Sequence, residues 1–561
     1  MQKTPRDCVP GVTPPGEAPR TQSGGVSPGH GRRFVAACSR ESYNTHTSEP
    51  CRYGRYGRAD VEENNVHYRT IGGAILVFSW CVLATAQPPQ PTLEPLVRAV
   101  DLKIGEQQEV TLSNSNKVKV KLLDLRETSD PIRQAVREAK VEVEIDGQRV
   151  LLTSATYRLP VSVGSVQIDC PITRAIYRNN NAESWGLEKD ARLRLWPAGS
   201  PLMNPGTFVY PIRQRWFASS TQMANEPCYV DAAERLKPGK IYYHWGLDFG
   251  GCEGLTEVLA ATDGLVVSAG KQTLPGYEDT PAKSRYDVVY ILDARGWYYR
   301  YSHLYSIDED IQPGAKVHMG QRLGLLGKEG GSGGWTHLHF DIFCRQPSGK
   351  WGCQEAYALA WEAYLQQYQP KLIAVARLHQ LVLTGEQATL DGSRSWSATG
   401  KIAHYEWTFT DGTKAEGSQV RRTYAQPGYY SEIFKITDSQ GRIDYDFAIV
   451  IVVDREHQDR LPPSVHVTYY PTFGLRPGDT VTFKGRTFGT KAGEETWDFG
   501  DGSPAATTRS DGNAVPLAKD GYVIQTHRYR QPGQYLVRVE RTDGYGQKGI
   551  GCVRVEVAAD K

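Results

Sequence analysis

The sequence predicts a mainly β, multidomain protein, and three observations support this fold class. The chain has 561 residues, which is too many for a single hydrophobic core. Glycine, proline and tyrosine are abundant, at 56, 33 and 31 residues, as is typical of strands joined by tight turns. Apolar and polar residues alternate along much of the chain, and the last third repeats one pattern of strands and turns.

The charge balance gives no reason to expect a polyanionic partner. The 65 basic and 63 acidic residues leave a formal net charge of +2. Proteins that bind nucleic acid usually carry a clear basic excess. Nucleic acid is therefore not an expected partner.

The first 86 residues are interpreted as a leader. Residues 1–65 are polar and rich in Gly, Pro, Ser and Arg, so we expect them to be disordered. Residues 66–86 place a basic residue before a short apolar run that ends in Ala84-Thr85-Ala86, which is the arrangement of a signal peptide. Cleavage before Gln87 would export a mature chain without a membrane span to the periplasm, the cell surface or the extracellular space.

The position of this signal peptide suggests that translation starts downstream of Met1, for example at Val66. The alternative is that residues 66–86 form a single N-terminal membrane anchor, although the apolar run is short for a membrane span.

Two β-rich blocks follow the leader. Residues 87–97 are rich in proline and are predicted to be a linker. Residues 98–225 alternate apolar and polar side chains, as in VEVEIDGQRVLL, and are predicted to form a β domain of unknown role. Residues 226–368 form the second block, which ends in a helix-like stretch, EAYALAWEAYLQQY.

Residues 372–456 and 462–558 repeat one pattern and are predicted to be two Ig-like β-sandwiches. In each copy a strand centred on tryptophan runs into Asp-Gly, and a later tyrosine precedes Pro-Gly and a further tyrosine. The second copy resembles a PKD (polycystic kidney disease) domain through WDFGDG at 497–502 and the run from Tyr529 to Tyr535.

The first copy follows the same pattern less closely. It keeps Trp407, Asp411-Gly412 and the run from Pro427 to Tyr430, but it has Thr408 and Thr410 where Asp and Gly are usual. The resemblance implies that both copies are spacers or adhesion modules without catalytic residues. Their Asp and Gly residues are expected to form turns.

Histidines are concentrated in the second block, where five of the thirteen lie between residues 244 and 339. His337 and His339 are two residues apart in WTHLHFDIF, so in a strand both side chains project from one face. Leu338, Phe340 and Ile342 then project from the other face into a core. The two imidazoles could share a metal, or one could bind it while the other reaches substrate or water. The alternative is a polar face of an edge strand.

Three further residues complete a candidate metal site. His244 and Asp248 are four residues apart in YYHWGLDFGG, and His303 ends the strand of YYRYSHLYSI. Alone, the first motif is typical of a surface loop and the second of a structural histidine. Together, His244, Asp248 and His339 offer two nitrogens and one oxygen, and they leave the fourth position of a catalytic zinc open. His303 and His337 then remain as a general base or as donors to an oxyanion.

These motifs resemble the catalytic domain of the lysostaphin-type, LytM-like zinc metallopeptidases. The resemblance extends over about residues 240–345. The matching motifs, in the family's order, are His244-x-x-x-Asp248, EVLAATDGLVVSAG, Tyr301-Ser302-His303-Leu304, Gly320-Gln321, and the HLH of His337 and His339. The resemblance implies an antiparallel sheet with a groove, of the duplicated-hybrid-motif type. It also implies one Zn²⁺ held by His244, Asp248 and His339, with His337 as general base supported by His303. Because every zinc ligand must be deprotonated, we expect activity to be lost in acid.

The function implied by the resemblance is that of an exported zinc metalloendopeptidase that hydrolyses peptide bonds in cell-wall peptidoglycan. The PKD domains would then be spacers, or contacts with the wall or with proteins. Because all five functional positions are intact, we expect an enzyme. Two other functions stay open, namely a non-catalytic LytM-like regulator or scaffold of cell-wall enzymes and a general secreted protease.

Several positions depart from the family pattern. Thr336 precedes the HLH motif where proline is frequent, a cysteine and two acidic residues follow the first ligands in FGGCEGLTE, and the loop KQTLPGYEDTPAKSRY is long. These positions select substrate in the family, so they leave the specificity open. His318 matches no functional position and is expected to lie on the surface.

Six cysteines lie in the predicted mature chain, and an even number in an exported protein suggests disulfides. Cys344 and Cys353 flank the turn-rich stretch RQPSGKWG and are predicted to pair, and Cys228 with Cys252 is a second candidate pair. No CxxC motif occurs, so a cysteine zinc site is not expected.

Overall fold

A computed structural model describes residues 87–129, 136–154, 157–174, 182–219, 227–228 and 242–559. The predicted disordered segment and signal peptide lie outside these residues. Nearly all regular structure in the described part of the chain is β, which confirms the predicted fold class. In this part of the chain, no helix is both long enough and apolar enough to cross a membrane.

The first block of strands forms two antiparallel four-stranded sheets, in the order β1-β8-β7-β6 and β2-β3-β4-β5. The strands are β1 (Arg98–Leu102), β2 (Gln107–Thr111), β3 (Lys117–Ser129), β4 (Val136–Ile145), β5 (Gln148–Ser154), β6 (Val161–Val163), β7 (Val166–Thr173) and β8 (Ala191–Pro197). A 3-10 helix (Ala182–Trp185) precedes β8. Alternate side chains such as Val141, Val143, Ile168 and Leu193 are buried in one core, as the period-two pattern predicts.

The second block is built on an eight-stranded antiparallel sheet. Its order is β11-β20-β16-β15-β13-β14, with β18 beside β13 and β21 beside β20. A three-stranded sheet, β12-β19-β17, and a two-stranded sheet, β10-β9, accompany it. The strands are β9 (Pro227–Cys228), β10 (Tyr242–Tyr243), β11 (Leu247–Gly250), β12 (Glu257–Leu259), β13 (Gly264–Ala269), β14 (Gln272–Thr273), β15 (Val289–Leu292), β16 (Tyr298–Ser302), β17 (Leu304–Ile307), β18 (Lys316–Val317), β19 (Arg322–Leu326), β20 (His337–Arg345) and β21 (Trp351–Gln354).

The predicted helix is present as α1 (Tyr357–Tyr368) and closes the second block. It buries Trp361 and Tyr364 against Trp216, with ring centroids 5.3 and 5.4 Å apart. The helix ends where Gln369 takes a left-handed backbone conformation, directly before a proline that cannot continue the helix.

The two repeats of the last third share one nine-stranded sheet. Its order is β23-β30-β29-β37-β36-β33-β34, with β26 beside β29 and β27 beside β26. The first repeat contains β22 (Leu372–Ile373), β23 (Gln380–Leu383), β24 (Gln387–Asp391), β25 (Trp396–Ser397), β26 (Ile402–Thr408), β27 (Lys414–Glu416), β28 (Gln419–Thr423), β29 (Gly428–Asp438) and β30 (Ile443–Val453). The second contains β31 (Ser464–Tyr470), β32 (Val481–Phe488), β33 (Glu495–Asp498), β34 (Ala506–Thr508), β35 (Val523–His527), β36 (Gly533–Thr542) and β37 (Lys548–Val557).

Each repeat has its own core around the tryptophan that marks it in the sequence. Trp407 packs with Phe434 in the first core, and Trp497 packs with Phe483 in the second. The short sheets β22-β25, β24-β28 and β31-β32-β35 complete the two repeats. Strands β29 and β37 pair in parallel where the two repeats meet.

The prediction of a disulfide between Cys344 and Cys353 is wrong, because both thiols are free. In the antiparallel pair β20–β21, Cys344 lies opposite Gly352 and Cys353 lies opposite Phe343. Neighbouring residues of a strand point to opposite faces, so the two sulfur atoms lie on different sides of the sheet. Cys344 joins the main core of the second block, whereas Cys353 packs in a separate cluster.

The second predicted pair, Cys228 with Cys252, lies partly outside the described residues. Cys252 is a buried free thiol, and the side chain of its proposed partner Cys228 lies outside the described residues.

Candidate metal centre

Three neighbouring strands bring the predicted site residues to one end of the eight-stranded sheet. Strand β20 lies between β11 and β16. Asp248 lies directly opposite His339 across β11 and β20. Ser302 lies opposite His339 on the other side, so that His303, the next residue, emerges at the same end.

The strand β20 alternates as its sequence predicts. Leu338, Phe340 and Ile342 have no exposed surface and belong to the main core of the second block. His337 and His339 project from the opposite face and are themselves buried, at 6% and 8% exposure. The prediction that β20 separates imidazoles from core residues is therefore confirmed.

The side chains of His244, Asp248 and His339 form a compact, buried triangle. Nε2 of His244 lies 2.9 Å from Nδ1 of His339 and 3.0 Å from Oδ1 of Asp248. Nδ1 of His339 lies 2.9 Å from the same carboxylate oxygen. Ligands about 2.0–2.2 Å from a tetrahedral zinc are roughly 3.3 Å apart, so this set of two nitrogens and one oxygen fits zinc in chemistry and in spacing.

The charges around the triangle keep Asp248 ionised and keep a proton on His339. Burial would raise the pKa of Asp248, but the charges of His244 and His337 and hydrogen bonds with His244 and His339 bring it well below its ordinary value. Burial would lower the pKa of His339, but the charge of Asp341 and hydrogen bonds with Asp248 and Asp341 raise it to about 9. A metal that binds to His339 at neutral pH must therefore displace a proton.

Asp341 binds His339 on the side of the ring that faces away from the triangle. The sequence motifs did not identify this residue. Its Oδ2 lies 2.9 Å from Nε2 of His339, and Nη1 of Arg300 donates to the same oxygen at 3.1 Å. A carboxylate in this position fixes the tautomer of a metal-binding imidazole and raises its basicity. The signal for Asp341 was available, because it continues the period-two face of His337 and His339 in HLHFD.

The remaining two histidines lie side by side next to the triangle. The ring centroids of His303 and His337 are 4.6 Å apart, and Nε2 of His337 lies 3.5 Å from Oδ2 of Asp248. Burial lowers the pKa of His337 to about 3 and also brings the pKa of His303 below its ordinary value. Both imidazoles are therefore neutral near pH 7 and able to accept a proton.

The tautomers of these two imidazoles follow from their backbone partners. Nδ1 of His337 lies 3.0 Å from the carbonyl oxygen of Trp335, and Nδ1 of His303 lies 2.6 Å from that of Glu329. A carbonyl only accepts, so each Nδ1 carries the hydrogen and donates it. Nε2 of each neutral ring is then left as the proton acceptor.

His303 is held in an unusual backbone conformation by the buried Asp287, which pairs with the half-buried Arg285. Its φ of 69° is left-handed, and its backbone N–H donates to Oδ2 of Asp287 at 3.0 Å. Arg285 in turn donates to both oxygens of Asp287, at 2.5 and 2.7 Å. Nothing in the local sequence pattern identifies Asp287 or Arg285, because they approach His303 only through the folding of the sheet.

His318 lies away from this centre, as expected. Its side chain is 89% exposed, and Nδ1 lies 3.8 Å from Oδ1 of Asp263, whose side chain is 76% exposed.

Comparison with known proteins supports the interpretation of the motifs. Residues 242–349 match the model of peptidase family M23. The candidate centre therefore lies in an M23-type peptidase domain. Residues 370–452 and 465–552 match two PKD domain models, so the expected order of one peptidase domain followed by two PKD domains is confirmed.

One curated relative matches a short part of the chain. Collagenase ColA of Clostridium perfringens (strain 13 / Type A) is 31% identical over 86 residues, which are 15% of this chain and 8% of that protein. The chain thus matches less than a tenth of the length of this curated relative. The PKD domains are consistent with a protein of the cell surface or the extracellular space.

Solved structures resemble parts of the fold. Csd3 of Helicobacter pylori, in a hexagonal crystal, aligns with 48% of this chain and 79% of its own, at 15% identity and a TM-score of 0.19. The fibronectin(III)-like modules of Clostridium thermocellum CbhA align with 34% of this chain and 94% of theirs, at 12% identity and a TM-score of 0.15. At these scores the likenesses carry no argument about function.

Proposed function

We propose that this chain is an exported zinc metalloendopeptidase that hydrolyses peptide bonds in bacterial cell-wall peptidoglycan. The observation that carries the proposal is the buried triangle of His244, Asp248 and His339 with two neutral imidazoles beside it. This arrangement lies within the segment that matches the M23 peptidase family. Its peptidoglycan substrate and its export are inferred from the family resemblance and from the signal-peptide pattern.

In this proposal His244, Asp248 and His339 hold one zinc ion. Zinc supplies Lewis acidity, which activates a water molecule and polarises the carbonyl of the scissile bond. The ionised carboxylate of Asp248 provides a negative charge in the triangle. Asp341 accepts the Nε2 hydrogen of His339, so that Nδ1 is free to act as the ligand.

His337 acts as the general base. Its neutral ring directs Nδ1–H to the carbonyl of Trp335, so Nε2 faces the carboxylate of Asp248 and can accept a proton from water. The imidazolium that results can return this proton to the amine that leaves. The low pKa of His337 keeps the ring unprotonated at neutral pH.

His303 supports His337 from the adjacent position. In its neutral tautomer it accepts at Nε2, so it can orient the attacking water. It becomes a donor to an oxyanion only after it has gained a proton. Asp287 fixes its backbone and therefore the direction of the ring.

The proposal is tested with the purified chain from Gln87, its zinc content and its activity on sacculi. We expect about one zinc per chain and the release of new amino termini from peptidoglycan. His339→Ala should lose both zinc and activity, whereas His337→Ala should keep zinc and lose activity. His318→Ala is the matched control, because this exposed histidine should affect neither.

Each alternative gives a different result. Cleavage of casein at a rate similar to or above that of sacculi would favour a general secreted protease. Zinc binding without cleavage of sacculi or casein would favour a regulator or scaffold of cell-wall enzymes.

A further inference from the structure

The second PKD domain packs directly on the loop that leads into the candidate site. We call residues 328–336, between β19 and β20, the HLH-entry loop. The indole of Trp335 stacks on the ring of Phe488, with centroids 3.7 Å apart and an angle of 4° between the planes. Nη1 of Arg486 donates to the carbonyl oxygen of Gly334 at 3.1 Å. The second PKD domain thus holds both the side chain and the backbone of this loop.

These contacts come from one face of one strand. Lys484, Arg486 and Phe488 alternate along β32, while Val481 and Phe483 point to the domain core. Arg486 and Phe488 are 0% and 1% exposed, although such positions on the outer face of a sandwich usually face water. The outer face of β32 is therefore covered in part by residues 511–516 of the same domain, which bind Arg486, and in part by Gly334 and Trp335 of the peptidase domain.

A tyrosine of the same domain binds the backbone of the HLH-entry loop. The hydroxyl of Tyr522 accepts the N–H of Thr336 at 3.0 Å and lies 2.6 Å from Nδ1 of His466. Because burial lowers the pKa of His466 to about 3, its ring is neutral and Nδ1 can accept the hydroxyl hydrogen. A proline at 336, frequent in the family that the domain resembles, would have no N–H to offer Tyr522.

The loop that follows Asp248 is held by the same strand. Nζ of Lys484 donates to the carbonyl oxygen of Glu253 at 2.8 Å. The carboxylate of Glu253 pairs with Lys328, the first residue of the HLH-entry loop, and both side chains are buried. Strand β32 therefore contacts both the loop that follows β11 and the HLH-entry loop.

A single residue, Trp335, links the PKD domain to the imidazole of His337. Trp335, which stacks on the PKD domain, also provides the carbonyl oxygen that accepts Nδ1–H of His337 at 3.0 Å. A change in the orientation of this peptide group would alter both the tautomer of the ring and the direction of Nε2. A displacement of about 1 Å at a reacting group can cost about 100-fold in rate.

We propose that Phe488 and Tyr522 of the second PKD domain are positioning residues for the peptidase, which set the orientation of His337 through Trp335 and Thr336. This inference rests on the proposed function and assigns the second PKD domain a role beyond that of a spacer. Phe488 and Tyr522 do not touch the reacting atoms. They hold Trp335 and Thr336, and the carbonyl of Trp335 in turn orients His337.

The test compares Tyr522→Phe and Phe488→Ala in the zinc-loaded chain, with soluble cross-linked muropeptides as substrate. We expect kcat to fall by about 10-fold for Tyr522→Phe and by up to about 100-fold for Phe488→Ala, with KM within about twofold. Zinc content should stay at about one per chain. Phe488→Leu, which keeps apolar volume under the indole, should recover part of kcat.

The matched control is Tyr535→Phe in the same domain. Its hydroxyl donates to the carbonyl of Gln531 at 2.8 Å, in an exposed position. This variant loses a hydroxyl of the same kind and should keep wild-type kcat. Thermal unfolding of all variants tests whether the domain itself remains folded.

A second measurement does not depend on activity. In ¹⁵N-histidine NMR spectra, assigned with His337→Ala, the ring of His337 should show one tautomer with hydrogen on Nδ1 in the wild type. Phe488→Ala should give a mixture of tautomers or a shifted signal. Unchanged kcat and an unchanged His337 signal in folded Phe488→Ala would overturn the proposal, as would loss of zinc in proportion to kcat. If the wild type cleaves no muropeptide, the proposed function fails, while the His337 signal still decides the positioning role.

Discussion

Nε2 of His339 lies 2.9 Å from Oδ2 of Asp341, a carboxylate that is completely buried. The two residues lie on one face of β20, and the carboxylate sits behind the imidazole as seen from the triangle of candidate ligands. The affinity of the site for a metal therefore depends on the ionisation of Asp341, although Asp341 would not itself bind the metal.

Replacing this carboxylate should weaken metal binding without removing a ligand. We expect Asp341→Asn to lower the zinc affinity by about 10- to 100-fold, because the imidazole loses basicity and its tautomer is less firmly fixed. Competition with a chromophoric chelator measures the affinity. Asp308→Asn is the control, since it removes only a more exposed ion pair with Arg322. Equal affinities for wild type and Asp341→Asn would contradict the role of Asp341.

Zinc binding should release protons at neutral pH. In the metal-free chain the pKa of His339 is raised to about 9, so the ring is protonated at pH 7.5 and must lose its proton to bind zinc. The apparent affinity should therefore rise with pH up to about 9 and then level off. Calorimetric titrations in buffers of different ionisation enthalpy should give about one proton per zinc at pH 7.5. A value near zero at that pH would show that His339 is already neutral.

Because His303 has a left-handed backbone conformation, asparagine can replace it without backbone strain. Asparagine tolerates a φ of 69°, so His303→Asn should fold and bind zinc like the wild type. We expect kcat to fall by about 100-fold or more, as for the loss of a group that assists proton transfer. His318→Asn makes the same change at an exposed site and should be fully active. Retained activity in His303→Asn would exclude a role for its ring.

Gly246 is the glycine on which the pair of Asp341 and His339 depends. Its φ is 81°, and a Cβ there would collide with Oδ1 of Asp341. Gly246→Ala should therefore both lower the melting temperature and reduce zinc affinity. Gly349→Ala separates the two effects, because Gly349 has a φ of 80° but no atom within 4 Å of its Cβ position. Differential scanning calorimetry and zinc titration of both variants test this, and equal effects would mean that backbone strain alone is responsible.

The thiols of Cys344 and Cys353 should be free in the isolated protein. Alkylation of the unfolded, unreduced chain followed by peptide mapping should label both residues fully. In the folded chain labelling should be slow, because burial raises the pKa of Cys344 to about 12. If Cys344 and Cys353 react only after reduction, they form a disulfide, contrary to the register of β20 and β21.

Much of the candidate site could be predicted from local sequence patterns. The alternation in HLHFD places His337 and His339 on one face because strand geometry has a period of two residues. The order of His244, Asp248, His303 and the HLH motif carried the family resemblance, and the structure brings these residues together. The predicted disulfide failed because the spacing of Cys344 and Cys353 does not reveal the register of their strands, and therefore not which faces they occupy.

Residues that support the site from a distance in sequence could not be predicted. Asp287 lies opposite His303 beyond the paired ends of β15 and β16, and no local pattern marks it. Lys484 and Arg486 are charged residues that alternate on a strand, a pattern that normally indicates a solvent-exposed face. Only the packing of one domain on another turns these charges toward carbonyl oxygens of the peptidase.

The contact between β32 and the HLH-entry loop has a practical consequence for protein engineering. PKD repeats are attractive as interchangeable cassettes, and residues 465–552 would be the obvious unit to exchange for another targeting module. Such a graft would remove both the stacking partner of the Trp335 indole and the hydroxyl that accepts the N–H of Thr336. Chimeras of this chain should therefore keep the second repeat and attach the new module after β37.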